Sequence, residues 1–338
     1  MGRLRVGIVG AGFMGEVHAR AWQRIRLAST GSSLDVELCA IADVELGGRT
    51  WLAEFPWLKK YESASELVRA GDVDVVDVCV PTPAHREVVE IAASGGKAVL
   101  CEKPLAASVR EAQQIAECVA RYGVPFMTAH VVRFFPEYVT ARETALSGEI
   151  GIPRYARAFR GGAKPAWSPW LGDRMQSGGV ILDTLVHDFD YLRWLFGEVR
   201  RVSAISLRHG PEGRDHAVVV LRFENDAIAQ VEGAWSYPQG SPFRTELEIA
   251  GTDGLIQYSS DKVEATRVWS QGARPGDSRY PVSPLDPDPY QLEIEHFASH
   301  VLRGTPLRIS VEDAVAAVAI AEAAMRASET CKPVVVRT

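Results

Sequence analysis

Short, nearly continuous apolar runs alternate with amphipathic stretches over the first 130 residues. Leu4–Val9, Val36–Ala42, Val73–Val80, Ala98–Cys101 and Pro125–Ala129 read as strands, and 15–28, 46–54, 84–94 and 108–122 as helices. Strands without a polar face, separated by helices, belong to a parallel sheet covered on both sides, the doubly wound α/β arrangement. After about residue 130 the pattern changes. The runs Arg154–Arg160, Val199–Leu207, Ala217–Phe223, Ile228–Trp235, Thr245–Ala250, Leu255–Tyr258 and Val263–Trp269 follow one another. Turn signals such as Glu224-Asn225-Asp226 and Gly251-Thr252-Asp253-Gly254 separate several of them, which predicts antiparallel hairpins. Residues 271–289, rich in Pro, Gly and Asp, read as a surface loop, with helices expected near 290–303 and 311–328. The expected fold class is therefore α/β with two domains. A dinucleotide-type Rossmann domain spans 1–130, and an α+β domain with a large, mostly antiparallel sheet spans 131–338, its C-terminal helices able to pack back on the first.

One helical stretch, GGVILDTLVHDFDYLRWLFG at 178–197, departs from a simple core-facing pattern. At about 100° per residue, Asp183, His187 and Asp190 share one sector beside an apolar face of Leu182, Leu185, Val186, Phe189 and Phe196. Asp188 points elsewhere. A buried charge without a partner is costly, so the stripe requires a structural partner or a cleft.

Composition narrows the function without naming it. The 338 residues are 46% hydrophobic and 24% charged, as in an ordinary globular chain long enough for two cores. Lys and Arg number 37 against 43 Asp and Glu, a net −6 that argues against a nucleic-acid binder. No apolar run is long enough to cross a membrane, and the N-terminal apolar stretch reads as a first strand rather than a signal peptide. The five cysteines form no CxxC pair and read as reduced thiols of a cytoplasmic protein. No spacing points to a metal site or to an acyl-transfer nucleophile.

The first strand runs into Gly10-Ala11-Gly12-Phe13-Met14-Gly15, a GxGxxG turn opening a helix. Gly10 permits the tight turn, Gly12 lets main chain approach a pyrophosphate, and Gly15 allows close helix packing. Asp43 closes the second strand, placed to accept from ribose hydroxyls and to repel a 2′-phosphate; NAD is expected over NADP. Two more segments follow strand ends, where ligands bind in open α/β sheets: Pro81-Thr82-Pro83-Ala84-His85 and Cys101-Glu102-Lys103-Pro104-Leu105.

The order GxGxxG, Asp, Pro-x-x-x-His, Glu-Lys-Pro, then Gly-Gly-x-x-x-Asp-x-x-x-His-x-x-Asp resembles the glucose–fructose oxidoreductase/inositol dehydrogenase (Gfo/Idh/MocA) family over nearly the whole chain. The resemblance implies hydride transfer between nicotinamide and a secondary hydroxyl of a sugar or cyclitol, with Lys103, Asp183 and His187 as the catalytic trio. It also implies a homodimer or homotetramer joined through the second domain's sheet. The chemistry suits those residue types. Histidine, with an ordinary pKa of about 6.5, can take the hydroxyl proton near neutrality. A lysine can donate to the substrate oxygen, and Asp183 can bind a neighbouring hydroxyl and orient the imidazole. Cofactor contacts are expected from Gly10, Gly12, Phe13, Met14, Gly15, Asp43, Pro81, Thr82, His85, Glu102 and Lys103. Substrate contacts are expected from Lys103, Arg133, Trp170, Asp183 and His187. Arg133 reads equally as a structural ion-pair partner, and His130, Lys164, Trp167 and Asp173 are weaker candidates. Asp190 reads as a positioning carboxylate or as a structural ion-pair partner of a residue such as Arg193. Two other functions stay open: a redox-neutral, NAD-using glycoside-cleaving enzyme, and a non-catalytic nucleotide-binding regulator.

Overall fold

A computed structural model describes residues 2–27, 34–165, 169–207, 215–262, 266–270 and 288–337. The chain divides into two compact units, Met1–Val131 with Pro287–Val315, and Val132–Asp286 with Ala316–Thr338.

The first unit holds a six-stranded parallel sheet of β1 (Leu4–Val9), β2 (Val36–Ala42), β3 (Lys59–Tyr61), β4 (Val75–Val78), β5 (Ala98–Glu102) and β6 (Phe126–Ala129). Their order, β3-β2-β1-β4-β5-β6, is that of a dinucleotide-binding fold. β4 and β5 are buried along their whole length, which accounts for their unbroken apolar pattern. The helices are α1 (Phe13–Leu27), α2 (Ala64–Arg69), α3 (His85–Ser94) and α4 (Val109–Tyr122). Ser108 caps α4 by accepting from the Glu111 amide, and Gly123, at φ 63°, ends it in the left-handed region. The helix expected over 46–54 is instead a turn followed by a 3₁₀ turn at Thr50–Glu54, because Gly47-Gly48 interrupts the start.

The second unit begins with α5 (Pro136–Leu146) and carries an eight-stranded sheet: β7 (Pro153–Ala163), β8 (Val199–Leu207), β9 (His216–Phe223), β10 (Ile228–Tyr237), β11 (Arg244–Gly251), β12 (Gly254–Ser259), β13 (Thr266–Ser270) and β14 (Val334–Val335). Between β7 and β8 lie α6 (Arg174–Ser177), a π-helical turn at Val180–Thr184, and α7 (Val186–Phe196). The order is β13-β12-β11-β7-β10-β9-β8-β14. All neighbours are antiparallel except β7 and β10, which pair in parallel; their connection passes through α7 and two strands rather than a hairpin. α8 (Pro289–Arg303) packs on α1 within the first unit, and the division between units falls inside α9 (Val311–Thr330). Residues 263–265 and 271–287, part of the expected strand and most of the expected loop, lie outside the described residues.

Candidate active site

The glycine turn between β1 and α1 is built as its sequence requires. Gly10 has φ 104°, and a Cβ there would lie 2.5 Å from the Cys79 carbonyl oxygen. A Cβ on Gly15 would lie 2.0 Å from the Gly10 carbonyl oxygen, so the helix start presses directly on the turn. Gly12 faces open space, with nothing within 4 Å of a Cβ. Helix α1 begins at Phe13, directly after the turn, so the positive end of its dipole lies at the turn. Asp43, just past β2, accepts from the Ala11 amide at 2.5 Å and from the Glu45 amide at 2.8 Å. Each carboxylate oxygen keeps a second lone pair for a ribose hydroxyl. Trp51 Nε1 donates to the Ala11 carbonyl at 3.2 Å and braces the turn from the other side. An uncluttered main-chain cradle, a helix start and a carboxylate at the second strand's end fit a dinucleotide.

The ends of β4 and β5 lie next along this sheet. Pro81 opens a 3₁₀ turn at Thr82–Ala84 with Thr82 buried, and His85 begins α3. His85 is buried; its Nε2 lies 2.9 Å from the Val80 carbonyl and its Nδ1 3.2 Å from the Leu105 carbonyl. Burial pulls its pKa below the ordinary histidine value, and the contacts to the Val80 and Leu105 carbonyls offset this only in part. His85 therefore ties together the two loops that carry the Pro81 and Lys103 segments. Glu102 is buried at the end of β5, and its Oε2 accepts from the Lys103 amide at 2.9 Å. Lys103 itself is half-buried.

Three residues near this rim escaped sequence reasoning. His18 and Trp22 on α1 and Asp77 on β4 are buried together: His18 Nδ1 lies 3.0 Å from Asp77, and Trp22 Nε1 donates to Asp77 at 2.8 Å. The available signal was an aspartate inside the apolar run Val75-Val76-Asp77-Val78. Cys79 and Cys101 are buried thiols whose pKa values burial pushes up, so neither is a ready nucleophile.

In the second unit the ionisable stripe separates into two groups. Asp190 is buried and meets Arg133, whose Nε and Nη2 donate at 2.8 and 2.6 Å. Arg193 instead pairs with Glu198. Asp188, on the opposite side of α7, accepts from Arg160 of β7 at 2.8 and 3.1 Å, and Arg160 also donates to the Tyr138 hydroxyl. Asp183 and His187 keep part of their surface. Asp183 lies in the π turn, where the Leu185 amide bonds the Val180 carbonyl at 2.9 Å, five residues back. The Asp215 carboxylate anchors the start of that turn by accepting from the Val180 amide at 2.8 Å. Trp170 occupies a half-buried 3₁₀ turn at Pro169–Gly172, and Asp173 caps α6 by accepting from the Met175 amide. His130 is buried just beyond β6, Lys164 is half-buried, and Trp167 lies outside the described residues.

A Rossmann unit with an intact glycine turn, joined to a unit with a large mixed sheet, defines a dinucleotide-binding oxidoreductase of two modules. Family models match both: residues 4–130 the oxidoreductase family with NAD-binding Rossmann fold, and residues 138–257 the GFO/IDH/MocA C-terminal domain. The chain belongs to the GFO/IDH/MocA family of oxidoreductases. It is 32% identical over 330 residues to the rhizopine catabolism protein MocA of Rhizobium meliloti, covering 96% of this chain and 95% of that one. It is 30% identical over 336 residues to the myo-inositol 2-dehydrogenase of Thermotoga maritima, covering 96% of each. Among solved structures, a probable dehydrogenase from Thermotoga maritima superposes with a TM-score of 0.81 at 29% identity, covering 98% of both chains. NAD is the cofactor, and the chain is an enzyme.

Proposed function

We propose that this protein oxidises a secondary hydroxyl of a cyclitol or sugar, or runs the reverse reduction, with Lys103, Asp183 and His187 as its catalytic residues. One observation carries the reading. Of the four ionisable residues at 183, 187, 188 and 190, Asp188 and Asp190 are committed to buried arginines, whereas Asp183 and His187 keep exposed surface. The relatives named as an inositol dehydrogenase and as a rhizopine catabolism protein support the substrate class.

Gly10, Gly12, Gly15 and the start of α1 hold the pyrophosphate, and Asp43 holds the adenosine ribose. Bound NAD supplies the acceptor for the hydride that leaves the carbinol carbon. His187 takes the hydroxyl proton as that bond breaks. Lys103 donates to the same oxygen and stabilises its developing charge. Asp183 accepts from an adjacent hydroxyl and keeps the ring oriented. Trp170 offers an apolar face for the ring of a polyol. Arg133, committed to Asp190, serves this site as support for α7.

The test is a panel of cyclitols and aldoses with NAD and with NADP, following reduced nicotinamide, with Lys103→Ala alongside. Turnover with NAD is expected, and Lys103→Ala should lower kcat by roughly 10²–10³-fold. Released aglycone without accumulated reduced nicotinamide would instead establish redox-neutral glycoside cleavage. Wild-type turnover by Lys103→Ala would remove Lys103 from the mechanism.

The reading includes assembly and place. The protein works as a homo-oligomer joined through the face of its eight-stranded sheet that carries Ile205 and Leu207, in the cytoplasm. None of its described helices is long and apolar enough to cross a membrane.

A further inference from the structure

His18 is fully buried on α1, three residues after Gly15 and one helical turn after Met14, and it lies between two carboxylates. Its Nδ1 is 3.0 Å from both Asp77 oxygens, and its Nε2 is 3.0 Å from Glu102 Oε1. The Nε2 contact is close without the alignment of a hydrogen bond, and it is an ion pair when the imidazole is protonated. Trp22 satisfies Asp77 further, and Cys79 Sγ lies 3.5 Å from His18 Nδ1. From α8 the Tyr290 ring faces the imidazole, its centroid 6.4 Å away, with buried Glu293 on the same helix. All these groups belong to the first unit.

A neutral imidazole has one N–H, and here would set its other lone pair directly against a carboxylate oxygen 3.0 Å away. An imidazolium presents N–H to both. Burial opposes its charge, but Asp77 and Cys79 outweigh burial and lift the His18 pKa well above its ordinary value. Burial likewise opposes ionisation of Glu102, yet His18 and Lys103 hold its pKa below the usual carboxylate value. His18, Asp77 and Cys79 also lie close enough together to hold a metal ion, but the imidazolium already supplies the positive charge that the two carboxylates require.

We propose that His18 is a positioning residue for Lys103: as an imidazolium it holds Glu102, and Glu102 Oε2 in turn fixes the Lys103 main chain at the end of β5. The chain of contacts is continuous, from Asp77 through His18 and Glu102 to the Lys103 amide. It runs from the helix that opens at the glycine turn to the lysine expected at the reacting oxygen, so the geometry of the two is set together. This rests on the reading of Lys103 as catalytic.

The test uses full-length protein with NAD, carrying His18→Gln, Glu102→Gln, both together, or Lys103→Ala. Three properties are measured: amide exchange at Lys103, NAD affinity by fluorescence, and the pH profile of kcat on myo-inositol or the panel member turned over fastest. His18→Gln should speed exchange at Lys103 and lower kcat roughly 10–10²-fold, the scale of a small misplacement, with NAD affinity little changed. Without its cation the buried Glu102 should take up a proton within the working pH range. A new pH dependence of kcat should therefore appear in His18→Gln and be absent from both variants that carry Glu102→Gln. The double variant should be no worse than Glu102→Gln alone. Wild-type exchange and kcat in His18→Gln, or losses that add in the double variant, would overturn the proposal. Glu102→Gln keeps the side chain's shape; if it changes neither exchange nor kcat, the proposal falls even where His18→Gln does not fold. Full turnover by Lys103→Ala would sink only the catalytic reading, because faster Lys103 exchange in the other variants would still uphold the relay.

Discussion

Asp188 and Asp190 are two positions apart on α7, and each is held by an arginine from a different element: Arg160 of β7 and Arg133 of the turn after β6. Both pairs are buried, and the Arg133 guanidinium also lies 5.3 Å from the centre of the Trp194 ring. Neither pairing could be read from the helical wheel, which put Asp190 beside Asp183 and His187, because the partners lie some 57 and 28 residues away in the chain. A pair that has given up its hydration gains little over apolar packing, but removing one partner strands the other. Arg133→Met should therefore destabilise the protein by about 3–5 kcal/mol in urea unfolding, because it leaves the Asp190 carboxylate buried and uncompensated. A change below about 1 kcal/mol, the scale of an exposed pair, would mean that water or another group replaces the guanidinium.

At the scale of elements, strands were easiest to read and irregular turns hardest. β1, β2 and β8 match their apolar runs residue for residue. β3 is Lys-Lys-Tyr at a sheet edge; with no apolar pattern it left no trace in periodicity. The capping serine of α2, Ser63, with Glu66 three residues on, was a usable signal that the short helix between them and Arg69 obscured. The π turn at Val180–Thr184 was invisible, since a 100° wheel assumes that no residue is inserted. Its causes lie elsewhere in the chain. Asp215 anchors its first amide, and Gly233 of β10 leaves room for it: a Cβ there would lie 2.8 Å from Leu185 Cδ2 and 3.0 Å from Val180 Cγ2. Gly233→Ala should thus push the turn off the sheet. The expected result is a loss of about 1–3 kcal/mol in stability, as in other overpacked cores. Because Asp183 lies in the turn, kcat should also fall, while NAD affinity, which belongs to the first unit, stays at the wild-type value. Unchanged kcat in a destabilised Gly233→Ala protein would show that the turn does not set Asp183.

At the scale of the whole molecule, the eight-stranded sheet has two unlike faces. The face toward Val180 and Leu185 carries Ala229, Val231, Gly233 and Trp235 of β10, all buried. On the other face the registers bring Ile205 opposite Val218, Ser203 opposite Val220, and Ile228 opposite Tyr155. Among the described residues this face leaves Ile205 69% and Leu207 60% exposed, with Val220 and Ile228 also open to solvent. Single exposed apolar residues are ordinary, whereas a cluster across adjacent strands is the kind of surface that the proposed homo-oligomer would cover. Flanking Arg157 and Glu246, 3.7 Å apart, give it a mixed-charge rim suited to a second copy of the same face. Sedimentation velocity should accordingly show a dimer or tetramer. Ile205→Glu, which costs an isolated subunit little because the position is exposed, should shift the protein toward monomer without lowering its unfolding midpoint at high dilution. A wild-type monomer at micromolar concentration, or an Ile205→Glu protein that assembles as wild type does, would place the oligomer contact elsewhere or remove it.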